Sequence, residues 1–362
     1  MKNRIIFLLV VFCLSTVLVV FNLFAQASGT ADIQDEPTSN NRRIGSSAAT
    51  ELLIPVGARG TAMGGANMAV SEGVESIHWN PAGLARVNYA AEAMVSSMAY
   101  IADIRMNYAA VGLKFEGVGS IALSIRALDF GDVLMTTNDD PYGEGGRTYS
   151  PGFITVGLTY ARQFTDAITF GLTTKVISEK MARATGSGVA FDLGVQYHGV
   201  GGIQGLNLGV ALKNYGPAMS FSGSGLLHKA IVTEGRRPEQ YFRSDAAKFE
   251  LPSTMEMGAS YVRQVNDALS FVVNSAFVNN NLALNSYTFG GEVAYNLGIM
   301  TVMGRGGYAY TDTGTADESI FGPTLGFGIF YHTTAVDIII DYAWRQVEYF
   351  DNNSVFSFKF GF

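Results

Sequence analysis

The chain has 362 residues, with 24 Lys and Arg against 31 Asp and Glu, a formal charge of −7, one cysteine and 42 glycines. The acidic balance argues against nucleic acid as a partner, and a lone cysteine leaves no disulfide framework and no thiolate metal site. Charge is sparse and glycine frequent for a soluble protein, yet after Val20 no apolar run approaches the ~20 residues that a membrane helix needs.

The chain opens Met1-Lys2-Asn3-Arg4, continues as an apolar run from Ile5 to Val20, and reaches Ala25-Gln26-Ala27 before Ser28. A basic start, an apolar centre and small residues at the end read as a secretory signal peptide over residues 1–27, not as a retained anchor. Cleavage would remove the two cations Lys2 and Arg4 and the only cysteine, Cys13, taking the charge from −7 to −9. Residues 28–44 (SGTADIQDEPTSNNRRI) are polar and aperiodic and read as a flexible leader. Residues 45–86 are rich in Gly and Ala, with GARGTAMGGANMAV and then SIHWNPAGLA, and read as short helical turns and tight loops.

From residue 87 to 362 the pattern changes to period two, the signature of strands with one apolar face. Ile154, Val156, Leu158 and Tyr160 alternate with Thr155, Gly157, Thr159 and Ala161, and Val189 to Tyr197 and Val336 to Trp344 repeat the theme. The chain ends on Phe356, Phe358, Phe360 and Phe362, with Ser357, Lys359 and Gly361 between them. Strands are expected at 88–98, 106–115, 119–129, 152–163, 167–178, 187–198, 205–213, 253–263, 268–278, 285–296, 299–310, 321–331, 335–345 and 353–362, about fourteen in all. Alternation is faintest in the first three and the eleventh. An even number of strands of ~9–11 residues suits a closed antiparallel membrane barrel.

Every second connection is short (116–118, 164–166, 199–204, 264–267, 297–298, 332–334), and the longest of the others are 130–151 and 214–252. Short periplasmic turns against longer outer loops are the rhythm of outer-membrane barrels, and this places both termini in the periplasm of a bacterial outer membrane. On the outward face from the fourth strand onward, charge occurs only at Arg162 and Arg263, each just past a tyrosine, where a long side chain can reach head groups. Tyr160, Tyr197, Tyr261, Tyr295, Tyr331 and Phe362 fall at equivalent strand ends and form a candidate aromatic girdle, with Tyr100, Tyr310 and Trp344 at the opposite rim. The fold class is therefore all-β: a transmembrane antiparallel barrel of about 14 strands with an N-terminal plug, or hatch, over residues 45–86.

Arg126, Lys175, Asp192, Glu256, Glu292, Arg305, Asp337, Asp341 and Lys359 face inward in this parse. They are expected to pair across the lumen and hold the plug, in preference to lining a selective path. Asp337 and Asp341 share a face, but four residues of strand separate them by roughly 13 Å, beyond the carboxylate spacing of glycosidases. His78, His198, His228 and His332 show no metal-ligand spacing. The glycines from Gly57 to Gly65 lack the G-K-[ST] of a phosphate loop, and no G-x-S-x-G elbow occurs. No enzyme, metal or cofactor is expected. The connection 214–252 mixes glycines with Arg236, Arg237, Tyr241, Phe242, Arg243 and Phe249, residue types enriched at binding surfaces, and is a candidate partner-binding loop.

Residues 56–66 (VGARGTAMGGA) followed by 77–84 (IHWNPAGL) resemble the amino-terminal plug of the PorV/PorQ family of outer-membrane proteins, itself related to FadL-type transporters that share an Asn-Pro-Ala plug motif and a fourteen-strand barrel. The likeness is close over residues 50–90 and elsewhere extends only to barrel pattern. It implies structural roles for Gly57, Gly60, Gly64, Gly65, Asn80, Pro81 and Gly83: Pro81 fixing a turn and Asn80 capping it. A PorV-like protein would bind exported proteins in type IX secretion. A FadL-like one would pass hydrophobic small molecules inward and release them sideways through the wall. A barrel that only scaffolds other envelope proteins is a third expectation. Outer-membrane lipids are partners in all three.

Overall fold

The computed structural model describes residues 47–230, 240–311, 320–334 and 336–362. The expected signal peptide, the leader, and Arg236 and Arg237 of the 214–252 connection lie outside the described residues. Fourteen long strands form one closed sheet: β1 (Ala91–Ala99), β2 (Arg105–Phe115), β3 (Gly119–Asp129), β4 (Gly152–Gln163), β5 (Ile168–Met181), β6 (Ala184–His198), β7 (Leu206–Tyr215), β8 (Thr254–Gln264), β9 (Leu269–Asn280), β10 (Ser286–Asn296), β11 (Met300–Thr311), β12 (Phe321–His332), β13 (Asp337–Val347) and β14 (Asn353–Gly361). Each pairs antiparallel with its sequence neighbour, and β14 returns to pair with β1 from Glu92↔Gly361 to Ala99↔Ser354. Closure leaves the sheet no free edge, so along the paired ladders N–H and C=O groups find partners inside the wall.

The fourteen segments expected from alternation are the fourteen strands observed. β5 and β6 run about three residues further than expected at their shared end, because only Ala182 and Arg183 separate them. The fainter alternation of the first three strands has a physical cause: both faces are apolar there. Val95, Val111, Leu113, Leu123 and Ile125 are exposed outward, while Met94, Met98, Met106, Ala110 and Ala122 are buried inward. The inward face is thus not uniformly small and polar, as the later strands suggested. In β11 the outward positions Gly304 and Gly306 dilute the signal.

One end of the barrel carries the turns 116–118, 164–167, 199–205, 265–268, 297–299 and 333–336. The other carries 130–151 and 216–253, but also the brief 182–183, so the contrast in length rests on a few connections. The segment 47–90 crosses the lumen between these ends. Ser47 forms a parallel bridge with Glu250 on the long-connection side. Ala90 N donates to Phe362 O (2.9 Å) at the short-turn end, where β1 starts. Ser47 and Phe362 therefore lie at opposite ends, and the chain before Ser47 lies outside the described residues. Between them the chain makes only short helical turns (Thr50–Leu53, Ala58–Ala62, Gly73–Glu75, Ser76–Trp79 and Pro81–Arg86). Its apolar side chains Ile54, Val56, Val74, Ile77 and Leu84 pack with Met94, Met98, Met106 and Tyr108 of β1 and β2.

The outward apolar band has a direct test. Leu123→Arg, at the middle of β3, is expected to destabilise the barrel in lipid vesicles by ~2–4 kcal/mol, measured by denaturant titration, whereas Thr173→Arg on the inward face should not follow the same dependence on bilayer thickness.

Candidate functional site

The amino-terminal segment is fitted to the wall through glycines on both sides. Asn80 Oδ1 accepts from Ala82 N (3.1 Å) and caps the Pro81–Arg86 turn, while Asn80 Nδ2 donates to Val195 O (3.1 Å) on β6. A Cβ at Gly194 would collide with Asn80, and one at Gly171 with the Pro81 carbonyl, so the Asn-Pro turn needs two bare positions on β5 and β6 to approach this closely. Gly60 lies against Trp79 so tightly that a Cβ would fall within the indole ring, whose Nε1 donates to Val56 O (3.1 Å). Gly64 has φ 66° and touches the backbone of Tyr308 and Phe289, a left-handed conformation that favours glycine. Gly57, Gly65 and Gly83 lie in the same segment, against Glu75, Trp79 and Ser71 respectively.

Charges bind the segment to the strands. Arg59 donates through Nε and Nη2 to both Glu292 oxygens (3.0 Å each). Arg305 reaches Glu292 and Asp341 (2.6 Å each), so one buried carboxylate joins a segment arginine to a wall arginine. That carboxylate pushes the Arg59 pKa above its ordinary value, against the opposing effect of burial. Lys359 faces Glu75 (3.4 Å), Lys175 pairs with Asp192 (2.5 Å), Lys213 pairs with Glu256 (2.6 Å), and Asp337 meets Tyr89 (2.7 Å) and His332. Arg126 lies against Glu51 O (2.7 Å) and His78 Nδ1 (2.8 Å). All nine inward charges read from the sequence thus bridge within the lumen or to the segment. Asp337 and Asp341 have separate partners.

Between the segment and the wall, on the long-connection side, lies a cavity of about 260 Å³. Leu52, Leu53, Pro55 and Trp79 line it from the segment, and Val278, Phe321, Ala309, Thr288, Thr324, Lys213, Glu256 and Arg345 from the wall. Lys213 Nζ sits 5.9 Å from the Trp79 ring centre and donates to His78 O (3.1 Å). The Arg345 guanidinium stacks over Phe321, 3.9 Å from its ring centre. With its amide turned to suit both groups, Asn353 accepts from Arg345 Nε (3.2 Å) and Nη2 (2.6 Å). Beside the cavity the β11–β12 pairing stops at Gly307↔Thr324, and the register of β12 on β13 slips between Phe321 and Thr324, at Gly322-Pro323. A proline cannot donate to a ladder, which accounts for the bulge.

Among the other sequence candidates, Tyr160, Tyr295, Tyr331 and Phe362 are exposed on the outside near the short turns, and Tyr197 and Tyr261 half-buried beside them. Trp344 is half-buried on β13 at the opposite rim. Tyr241, Phe242 and Arg243 are exposed on a small hairpin, residues 227–230 against 240–243. Phe249 is instead packed edge-on against Phe221 (5.9 Å) in an apolar cluster with Met219 and Leu251, and the structure does not join it to the exposed hairpin. No cluster of metal-binding side chains occurs among the described residues. Lys213, Arg345 and Glu179 escaped the inward tally although strand parity marks all three. The role of Trp79 as a cavity wall had no sequence signal beyond its motif.

No protein-family model matches the chain, and no curated protein is similar to it in sequence. Solved structures do match in fold. The toluene transporter TbuX of Ralstonia pickettii superposes with a TM-score of 0.54 at 14% identity, covering 85% of this chain and 98% of that one. The toluene transporter TodX of Pseudomonas putida gives 0.51 at 12% identity, over 84% and 96%. The monoaromatic hydrocarbon channel CymD gives 0.51 at 12% identity, over 86% and 98%. At such identities the likeness is one of fold: the closed fourteen-strand barrel of this chain superposes on those structures.

Removing the shared carboxylate should expose how the segment is held. Glu292→Leu leaves Arg59 without its carboxylate and Arg305 with Asp341 alone, and a loss of ~3–5 kcal/mol is expected in denaturant unfolding. Adding Arg59→Met to it should recover part of that loss, and an unchanged midpoint in the single variant would mean the bridge carries little.

Proposed function

We propose that this protein is an outer-membrane barrel that admits hydrophobic small molecules, with residues 47–90 as its plug and the 260 Å³ cavity as the place where a ligand first lodges. The observation that carries the reading is the cavity itself. It lies between segment and wall, is backed by Trp79, Leu52, Leu53 and Pro55, and keeps a few polar groups that can orient a ligand. The fold likeness to toluene transporters supports the same reading, as does an outward face of exposed Leu, Val, Ile and Phe suited to lipid. The bulge at Gly322-Pro323 adjoins the cavity and is the proposed weak point of the wall. In this reading the short turns are periplasmic, the tyrosines beside them meet the head groups, and the barrel needs no cofactor and performs no catalysis.

The exported-protein reading rests on the resemblance of the plug motif and on the exposed Tyr241, Phe242 and Arg243. The comparisons lend it no support, and the cavity gives the small-molecule reading the stronger physical basis.

Ala309→Trp places an indole in the cavity from β11. Uptake of a monoaromatic hydrocarbon by cells carrying this variant should fall at least tenfold, with the barrel's heat-modifiable gel mobility kept. Undiminished uptake in the folded variant would remove the cavity from the route.

A further inference from the structure

Residues 47–54 bring Leu52 and Leu53 to the cavity, and they are fastened to the wall differently from the rest of the segment. Glu51 and Glu179 of β5 are both buried, 3% and 2% exposed. Ala49 N donates to Glu179 Oε1 (2.6 Å), but neither oxygen of the Glu51 carboxyl finds a donor among the described residues. The neighbouring cation, Arg126 of β3, is committed elsewhere: Nη1 donates to Glu51 O and Nη2 to His78 Nδ1. A guanidinium only donates, so His78 Nδ1 must carry a lone pair, and the ring is neutral with its proton on Nε2. Around this joint stand Tyr108 of β2, Lys175 of β5, Asp192 of β6 and Lys213 of β7. Lys175 and Asp192 neutralise each other (2.5 Å). Two adjacent buried carboxyls with no cation on them cannot both ionise and must share a proton.

We propose that this joint is a pH-sensitive latch: it holds residues 47–54 against β3 and β5 while the Glu51–Glu179 pair keeps a proton and His78 has none, and it loosens when either condition fails. Its consequence for passage rests on the functional reading above; the latch itself rests on the geometry of the joint.

The two conditions act in opposite directions. Burial, reinforced by Glu179, raises the Glu51 pKa to about 8 in the docked segment. A group raised in this way costs docking strength from its ordinary value near 4.5 up to about 8, by up to about tenfold per pH unit. Burial, then the charges of Lys213, Arg126 and Lys175, lowers the His78 pKa well below 6.5. Docking therefore also weakens as pH falls below 6.5, with the same limiting slope. Below 6.5 the two effects oppose each other, so docking changes less with pH there than above it. From about 6.5 to 8 only the carboxyl pair acts, and the latch loosens as pH rises.

Hydrogen–deuterium exchange of residues 47–54, in the full chain in lipid vesicles and corrected for intrinsic exchange chemistry, reads this directly. The wild type should show protection that changes little just below pH 6.5 and then a loss approaching tenfold per unit up to about 8. Glu51→Gln donates to Glu179 with no proton to lose, so its protection should stay level above pH 6.5 and fall below it. His78→Gln keeps an acceptor for Arg126 with no proton to gain, so its protection should go on rising as pH drops from 6.5 to 4.5. Should Glu51→Gln fail to assemble, Glu179→Gln reports on the same shared proton. An alkaline loss that persists in the carboxyl variants, or a flattening below pH 6.5 that persists in His78→Gln, overturns the latch. Exchange that follows this pattern while hydrocarbon uptake ignores pH leaves the latch standing and breaks only its link to passage.

Discussion

The hydrogen bonds between β1 and β14 are the constraint on which everything else depends. In hydrocarbon, an unpaired strand edge costs several kcal/mol per backbone group, and this chain has no long apolar helix among its described residues to offer instead. Closure at Glu92↔Gly361 through Ala99↔Ser354 forces fourteen strands around a lumen of fixed girth. It also fixes which face of each strand meets lipid, because a slip of one residue would exchange the faces completely. The lumen must then be filled, and residues 47–90 do the filling.

That filling is divided. Against β1 and β2 the contact is apolar, with methionines at 94, 98 and 106 moulding themselves to Ile54, Val74 and Leu84. Around the remaining wall it is polar: Arg59 on Glu292, Glu75 on Lys359, His78 on Arg126, Asn80 on β6. Burial of charges is costly unless each finds a partner, and these pairs satisfy that demand while fixing the segment's orientation. The cavity remains where neither kind of contact closes up, between Trp79 and the β11–β12 wall.

Most of the barrel was legible because membrane strands have one lipid-facing side, and period two is then unavoidable. Strand count, order and the inward placement of residues such as Glu292, Arg305 and Lys359 followed from parity alone. What did not follow has identifiable causes. β1 to β3 bury methionine and alanine on the inside, which erases the polar half of the alternation. Glu179 lies one residue past the expected strand end at 178, and Lys213 is the last residue of its expected strand. The end at which the segment begins cannot be read from composition, since the bridge from Ser47 to Glu250 joins residues 203 apart. The small-molecule cavity is a property of how Trp79 is seated by Gly60, and no local pattern of residues announces a void.

The path of residues 47–90 through the lumen has a consequence for assembly. Ala58 N bonds to Ser357 Oγ across 299 positions of sequence, and Glu75 to Lys359 across 284. These contacts join the first described part of the chain to the last strand, so they form only as the seam is drawn shut. Glycines on β5, β7, β10 and β11 are moulded to the segment's backbone. The residues that lie across the lumen are thereby also stitched to the strand that closes it.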